Sequence, residues 1–142
     1  MCRYCRSRKN TAIAISFLVV LLVAPFSSMV YPGRVTYARF GLTVYGIITV
    51  PVLDITVGPH GSLWFRDKSH YVSIDELRPL LSYDVEVLVI GIGWHSAVRV
   101  DPAIQEMEGL EVRVLPTPAA FDLFNKYVAE GTVVVLVAHS TC

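Results

Sequence analysis

The densest run of residues able to do chemistry is Gly91-Ile92-Gly93 followed by Trp94-His95-Ser96. Two glycines after an aliphatic run invite a dinucleotide reading. That fingerprint needs a third glycine, but position 96 is Ser96, and it needs an acid closing the next strand, which instead ends Leu115-Pro116. No nucleotide cofactor is expected, and no other cofactor is called for. His95 beside Ser96 raises nucleophilic catalysis. Adjacent side chains rarely meet, the base needs an orienting third group, and no G-x-S-x-G elbow is present. No catalytic residue is assigned, and His95 reads as an exposed loop histidine. His60, His70 and His139 are too scattered to argue a metal site. Cys2-Arg3-Tyr4-Cys5 is formally a CxxC pair without the two further ligands zinc requires, the nearest histidine being His60.

Two polar groups stand out against apolar surroundings. Asp54 falls within a strand-like apolar stretch, and a buried carboxylate has to be paired or hydrogen-bonded. Arg66, in the next predicted strand, is the candidate partner. Asn125, Lys126 and Glu130 fall on the polar side of a predicted helix, where Lys126 and Glu130 are spaced for an i,i+4 pair. Gly91, Gly93, Trp94, His95, Thr117, Asn125 and Glu130 together outline a candidate ligand or partner cleft. In open α/β sheets ligands bind at the carboxyl edge of the parallel strands, which is where the Gly91–Ala97 loop is expected.

The elements that must position these residues follow from pattern. Residues 40–57 are rich in β-branched and aromatic types, with Gly46 and Pro51 as punctuation, and read as two or three strands. Gly58-Pro59-His60-Gly61 is a turn, and Ser62–Arg66 returns as a hairpin strand. Ser73 with Glu76 three residues on is a capping box, opening a helix predicted to reach about Leu81. Val85–Ile90 and Thr132–Ala138 are nearly all apolar, as strands buried on both faces must be. Asp101-Pro102 and Thr117-Pro118 each read as an N-cap followed by proline, so Thr117 is the expected cap of the helix over 119–130. Gly131 ends that helix, and Glu111–Leu115 is the intervening strand. Strand, helix, strand, helix, strand with short links makes two βαβ crossovers on a parallel sheet. The fold class expected is α/β: a small three-layer β/β/α-type domain, with a parallel βαβαβ half and an N-terminal antiparallel hairpin.

The chain of 142 residues is 54% apolar and 17% charged, and its net charge of zero hides an asymmetry. Six basic and no acidic residues precede Asp54, whereas all twelve acids and six bases follow from there on. An acidic folded body repels phosphate, so no nucleic-acid partner is expected. Residues 1–33 read as a basic, hydrophobic leader, ahead of a single domain over 34–142. The apolar run over 12–24 ends at Pro25, short of the roughly 20 residues a spanning helix needs. Its length suits a signal peptide or signal anchor. A mitochondrial presequence, or an extension from a wrongly assigned start, are the alternatives. Localisation follows the leader: membrane-associated or exported, with residues 12–31 contacting the membrane; alternatively mitochondrial, or cytoplasmic if the leader is not native.

Several stretches between Phe40 and Ala138 resemble the small adipogenesis-associated domain family of unknown function. Val52-Leu53-Asp54-Ile55 resembles its Asp-bearing strand. Leu63-Trp64-Phe65-Arg66 followed by His70 is similar to its Trp-Arg then His pattern, and Val89–Gly93 to its Gly-x-Gly strand end. Thr117-Pro118-Ala119-Ala120, then Asn125 and Glu130-Gly131 before a final apolar strand, is similar to its most specific motif. Thr132 stands where the family often has arginine, and a basic residue near Pro118 is absent. The resemblance implies a three-layer β/α fold without established catalysis. In one branch, which includes a respiratory complex I assembly factor, it implies a role in assembling a membrane complex.

The functional expectation is a non-catalytic binding or assembly domain. It would engage a protein partner through its sheet edge or the cleft at Gly91–Ser96. The alternative is a small-ligand binder or an unrecognised enzyme using that loop cleft.

Overall fold

Every position of Val87–Gly91 and Val134–Ala138 is buried, the condition that two-sided apolar strands anticipate. These strands, β7 and β10, lie side by side and parallel in the computed structural model, which describes residues 33–81 and 84–142. The leader expected over residues 1–33 lies, apart from Gly33, outside the described residues. So do the CxxC pair and the membrane contact expected through residues 12–31. Among the described residues no helix is long and apolar enough to cross a membrane.

The antiparallel portion comes first. Strands β1 (Val35–Arg39), β2 (Leu42–Tyr45) and β3 (Ile48–Pro51) form a three-stranded meander. Breaks near Gly46 and Pro51 fall where the punctuation places them; β1, whose Thr-Tyr-Ala-Arg run alternates weakly, was not foreseen. Val52, in the link to β4, has φ 59°, a left-handed conformation that β-branched residues rarely adopt. Strands β4 (Asp54–Val57) and β5 (Leu63–Arg66) close the expected hairpin.

Short elements follow: β6 (Tyr71–Val72), α1 (Ile74–Leu77), then, after β7, β8 (Arg99–Val100) and α2 (Pro102–Gln105). The Ser73 hydroxyl accepts from the Glu76 N–H as a cap should. Helix α1 nonetheless ends at Leu77, with turns rather than helix to Leu81. Asp101 caps α2 through the Ala103 N–H. Strand β9 (Glu111–Leu115) pairs parallel to β7, and α3 (Thr117–Glu130) leads back to β10. Gly131 ends α3 in the left-handed conformation, its N–H returning to the Tyr127 and Val128 carbonyls.

The main sheet runs β5-β4-β10-β7-β9, mixed, with β10 inserted between the hairpin and the parallel half. One face packs on α3 and on Val35, Tyr45 and Val50 of the meander. The other carries Leu88, Ile90, Val135 and Val137 against Val72, Leu77 and Ile104 of the short elements. Three layers result, an α/β domain of the expected class.

Candidate functional site

Burial of a sheet on both faces leaves its strand ends and edges for function. At the carboxyl ends of β7, β9 and β10, Thr117 is fully buried and acts as a stitch rather than a helix cap. Its hydroxyl accepts from the Gly93 N–H at 3.0 Å and donates to the His139 carbonyl at 2.8 Å. The cap expected at Thr117 is thus displaced to Pro116, whose ring offers no hydrogen-bonding group. A Cβ on Gly91 would come within 2.9 Å of the Thr117 hydroxyl, and Gly93 has φ 93° with the Cys142 carbonyl 2.8 Å from any Cβ. Gly91 is therefore explained by close approach of Thr117 and Gly93 by that of the Cys142 backbone, without a phosphate.

The remaining residues of the expected cleft scatter. Trp94 stands edge-on to Phe40 with centroids 6.5 Å apart, and the exposed His95 ring tilts over Phe40 at 6.1 Å. The Trp94 Nε1 is buried without a hydrogen-bond partner among the described residues. The His95 N–H donates to the Cys142 carbonyl at 2.6 Å. Asn125, expected on a solvated helix face or in the cleft, instead clamps β1. Its Oδ1 accepts from the Val35 N–H at 2.9 Å and its Nδ2 donates to the Val35 carbonyl at 2.8 Å. Glu130 makes the anticipated exposed ion pair with Lys126, at 3.9 Å. So Gly91, Gly93 and Thr117 meet, Trp94 and His95 gather around Phe40, and Asn125 and Glu130 serve elsewhere.

A second cluster, only half visible in sequence, lies under the β4–β5 hairpin. Asp54 and His139 are each 2% exposed. The His139 Nδ1 lies 2.9 Å from Asp54 Oδ2, and Asp54 Oδ1 accepts from the Ser140 N–H at 2.9 Å. Arg66 does not bond Asp54, as the sequence reading expected, although the two are ladder partners. Its Nη1 lies 2.8 Å from His139 Nε2, while its Nε and Nη2 grip both oxygens of Glu76. A guanidinium has no acceptor, so this contact requires the lone pair of Nε2 and assigns the imidazole proton to Nδ1, donated to Asp54. Burial would raise the Asp54 carboxyl, but hydrogen bonds from His139 and the Ser140 N–H, with the Arg66 charge, outweigh it and hold it below its ordinary 3.8. Glu76 serves Arg66, so only half of the expected capping box forms. The sequence reading weighs His139 only as a metal ligand; its actual partners lie 85 and 73 positions away, beyond any local signal.

Arg66 and Glu76 also border a cavity of about 610 Å³, together with Thr56, Trp64, Phe65 and Leu80. Beside it runs β5, an outermost strand of the main sheet, with Trp64 46% and Phe65 58% exposed. Among the described residues no backbone group of β5 bonds beyond β4. The opposite edge, β9, carries an ion pair of Glu111 with Arg113 and a bond from the Tyr127 hydroxyl to Glu111 at 2.6 Å. Among the described residues no three His, Cys, Asp or Glu side chains are grouped as a metal site.

Comparison with solved structures returns the same fold. A conserved hypothetical protein, PH1505 from Pyrococcus horikoshii OT3, is 25% identical with a TM-score of 0.69, over 77% of this chain and 99% of that one. The protein MT938 is 28% identical with a TM-score of 0.67, over 78% and 99%. An outer membrane protein from Bartonella henselae, 20% identical with a TM-score of 0.65 over 79% and 99%, shares the fold alone. Residues 37–139, from β1 through the His139 of the buried cluster, match a protein family of unknown function, and the chain belongs to that family, DUF498/DUF598.

Proposed function

We propose that this domain is a non-catalytic protein-binding module that receives an extended segment of its partner on the edge of β5, which among the described residues pairs only with β4. The observation that carries the reading is the asymmetry of the two sheet edges. An unpaired strand is a template for another chain, and folds commonly blunt such edges with charge. Here β9 is blunted by Glu111 and Arg113, whereas β5 presents Trp64 and Phe65. Strand addition supplies main-chain hydrogen bonds, and neighbouring side chains supply specificity.

The chemistry of the buried cluster supports a binding role over a catalytic one. Asp54, His139 and Ser140 superficially suggest a triad, yet the Nε2 that would take a proton from a nucleophile is occupied by Arg66. The Ser140 hydroxyl sits near Asp54, at 3.4 Å, and the residue is 2% exposed. At the alternative cleft, Thr141 and Cys142 lie against Gly93. Assembly of a respiratory membrane complex is the specific form of this proposal suggested by the adipogenesis-associated family resemblance; the partners would then be subunits of such a complex.

Affinity purification of the full chain beside its Phe65→Lys variant tests the edge. A partner bound by the parent and lost at least about tenfold from the variant, with thermal stability unchanged, is the expected result. Equal recovery by both proteins removes the β5 edge as the binding surface.

A further inference from the structure

The cavity beside the hairpin is lined by a hydroxyl that makes no hydrogen bond among the described residues. Thr56, in the middle of β4, is 6% exposed and lines the cavity, yet among the described residues its hydroxyl makes no hydrogen bond. The hydroxyl is therefore open to the cavity as both donor and acceptor. Its cross-strand neighbour is Trp64, so both project from the same face of the hairpin, and Trp64 lines the cavity as well. Leu80 and Pro79 border the cavity as well. The volume, about 610 Å³, falls within the range of roughly 300–1,000 Å³ typical of small-molecule sites.

The charges around the cavity restrict what can enter. The Arg66 side chain is 5% exposed, and Glu76 and His139 engage its Nε and one N–H on each Nη. A guanidinium has five N–H groups, so two remain as donors. Glu76 already neutralises its charge through both carboxylate oxygens. A ligand carboxylate would therefore add unbalanced negative charge beside Glu76 and Asp67, which also line the cavity. An uncharged carbonyl oxygen can accept from Arg66 or Thr56 without that penalty.

We propose that this cavity is a binding site for an uncharged, planar aromatic molecule bearing a carbonyl oxygen. Its ring stacks on Trp64 and its oxygen accepts from the Thr56 hydroxyl, beside the Arg66 guanidinium. The site shares Trp64 and Phe65 with the strand-addition surface but does not rest on that reading: Thr56 belongs to β4, the strand next to the edge, and a small ligand needs no partner chain.

Coumarin, a neutral planar lactone, and coumarin-3-carboxylate, its anionic counterpart, serve as probes. Each is titrated into the ¹⁵N-labelled full chain, with the Thr56 and Trp64 signals followed by NMR. Coumarin is expected to shift both signals in a saturable way, and the carboxylate to bind at least about tenfold more weakly. Thr56→Val keeps the shape and removes the hydroxyl, so coumarin affinity is expected to fall about tenfold, the worth of one hydrogen bond. The same variant is expected to melt no lower than the parent, because the hydroxyl has no partner to lose within the protein. Absence of saturable shifts, equal or tighter binding of the carboxylate, or unchanged coumarin affinity in Thr56→Val would each overturn the proposal. The outcome for Phe65→Lys in partner capture bears on none of these.

Discussion

At the residue scale, the chain Ser140–Asp54–His139–Arg66–Glu76 sets which proton sits where. Asp54 has two acceptor oxygens, one used by the Ser140 N–H and one by His139 Nδ1. Asparagine could satisfy only one of them. With its amide nitrogen toward His139, the imidazole would have to move its proton to Nε2, where it would confront the Arg66 guanidinium. Asp54→Asn is therefore expected to destabilise the fold by about 3–5 kcal/mol, the scale of breaking a buried charged network, as read from urea denaturation near neutral pH. The pH dependence has a defined sign. A carboxyl whose folded value lies below its unfolded one contributes stability above the unfolded value, about 3.8 here, and loses it as pH falls through the folded value. The parent should lose stability below about pH 4, and Asp54→Asn should lose correspondingly less over that range. Identical acid limbs in the two proteins would show that Asp54 is not the group titrating. Much of this site was legible one residue at a time: Asp54 is conspicuous in an apolar strand, and Arg66 is its ladder partner. What sequence could not supply is His139, which reaches both only because β10 inserts beside β4.

At the element scale, the ends of strands and helices are held by side chains that look like ordinary caps and polar faces. Thr117-Pro118 reads as a capping signal, and Asn125 as one turn of a solvated face. In the fold, the first stitches β7 to β10 and the second fastens β1. Both misreadings have one physical cause: a local pattern shows which backbone groups a side chain could reach in its own helix, and gives no sight of unpaired groups on other strands. The glycines at 91 and 93 became intelligible by the same route, since it is Thr117 and the Cys142 backbone that leave no room for a Cβ. The bodies of α3, β7, β9 and β10, set by apolar pattern, were legible to within a few residues, whereas β1 and the two-residue β6 and β8 were not. Thr117→Val removes the hydroxyl while keeping the shape, leaving the Gly93 N–H and the His139 carbonyl unmet. Each buried unmet group costs about 1–3 kcal/mol, so a loss of about 2–6 kcal/mol is expected in chemical denaturation. Thr117→Ser retains the hydroxyl and is expected to recover more than half of that loss. Equal destabilisation by the two substitutions would mean that the methyl group, rather than the stitch, holds the strand ends.

At the scale of the whole molecule, the order of strands makes the last one the join. The β4–β5 hairpin and the parallel pair β7 and β9 meet in the main sheet only through β10, antiparallel to β4 and parallel to β7. Neither half covers its inward faces alone: Ile55 and Val57 of the hairpin and Val87 and Val89 of the parallel half share one core with Leu136 of β10. A sheet joined in this way should unfold in a single transition, because losing β10 exposes both halves together. Leu136 is fully buried, so Leu136→Ala is expected to cost about 2–5 kcal/mol through lost burial and the cavity left behind. The sharper expectation concerns coincidence. Trp64 and Trp94 are the two tryptophans, so a Trp94→Phe background leaves Trp64 fluorescence as a reporter on β5 alone. Far-UV circular dichroism reports helix, and among the described residues that is chiefly the fourteen residues of α3. In that background, urea curves from the two signals should superimpose before and after Leu136→Ala, with the midpoint lowered equally in both. If Trp64 reported a later transition than the helix, the hairpin would be holding itself together, and β10 would be an added strand rather than the one on which both halves depend.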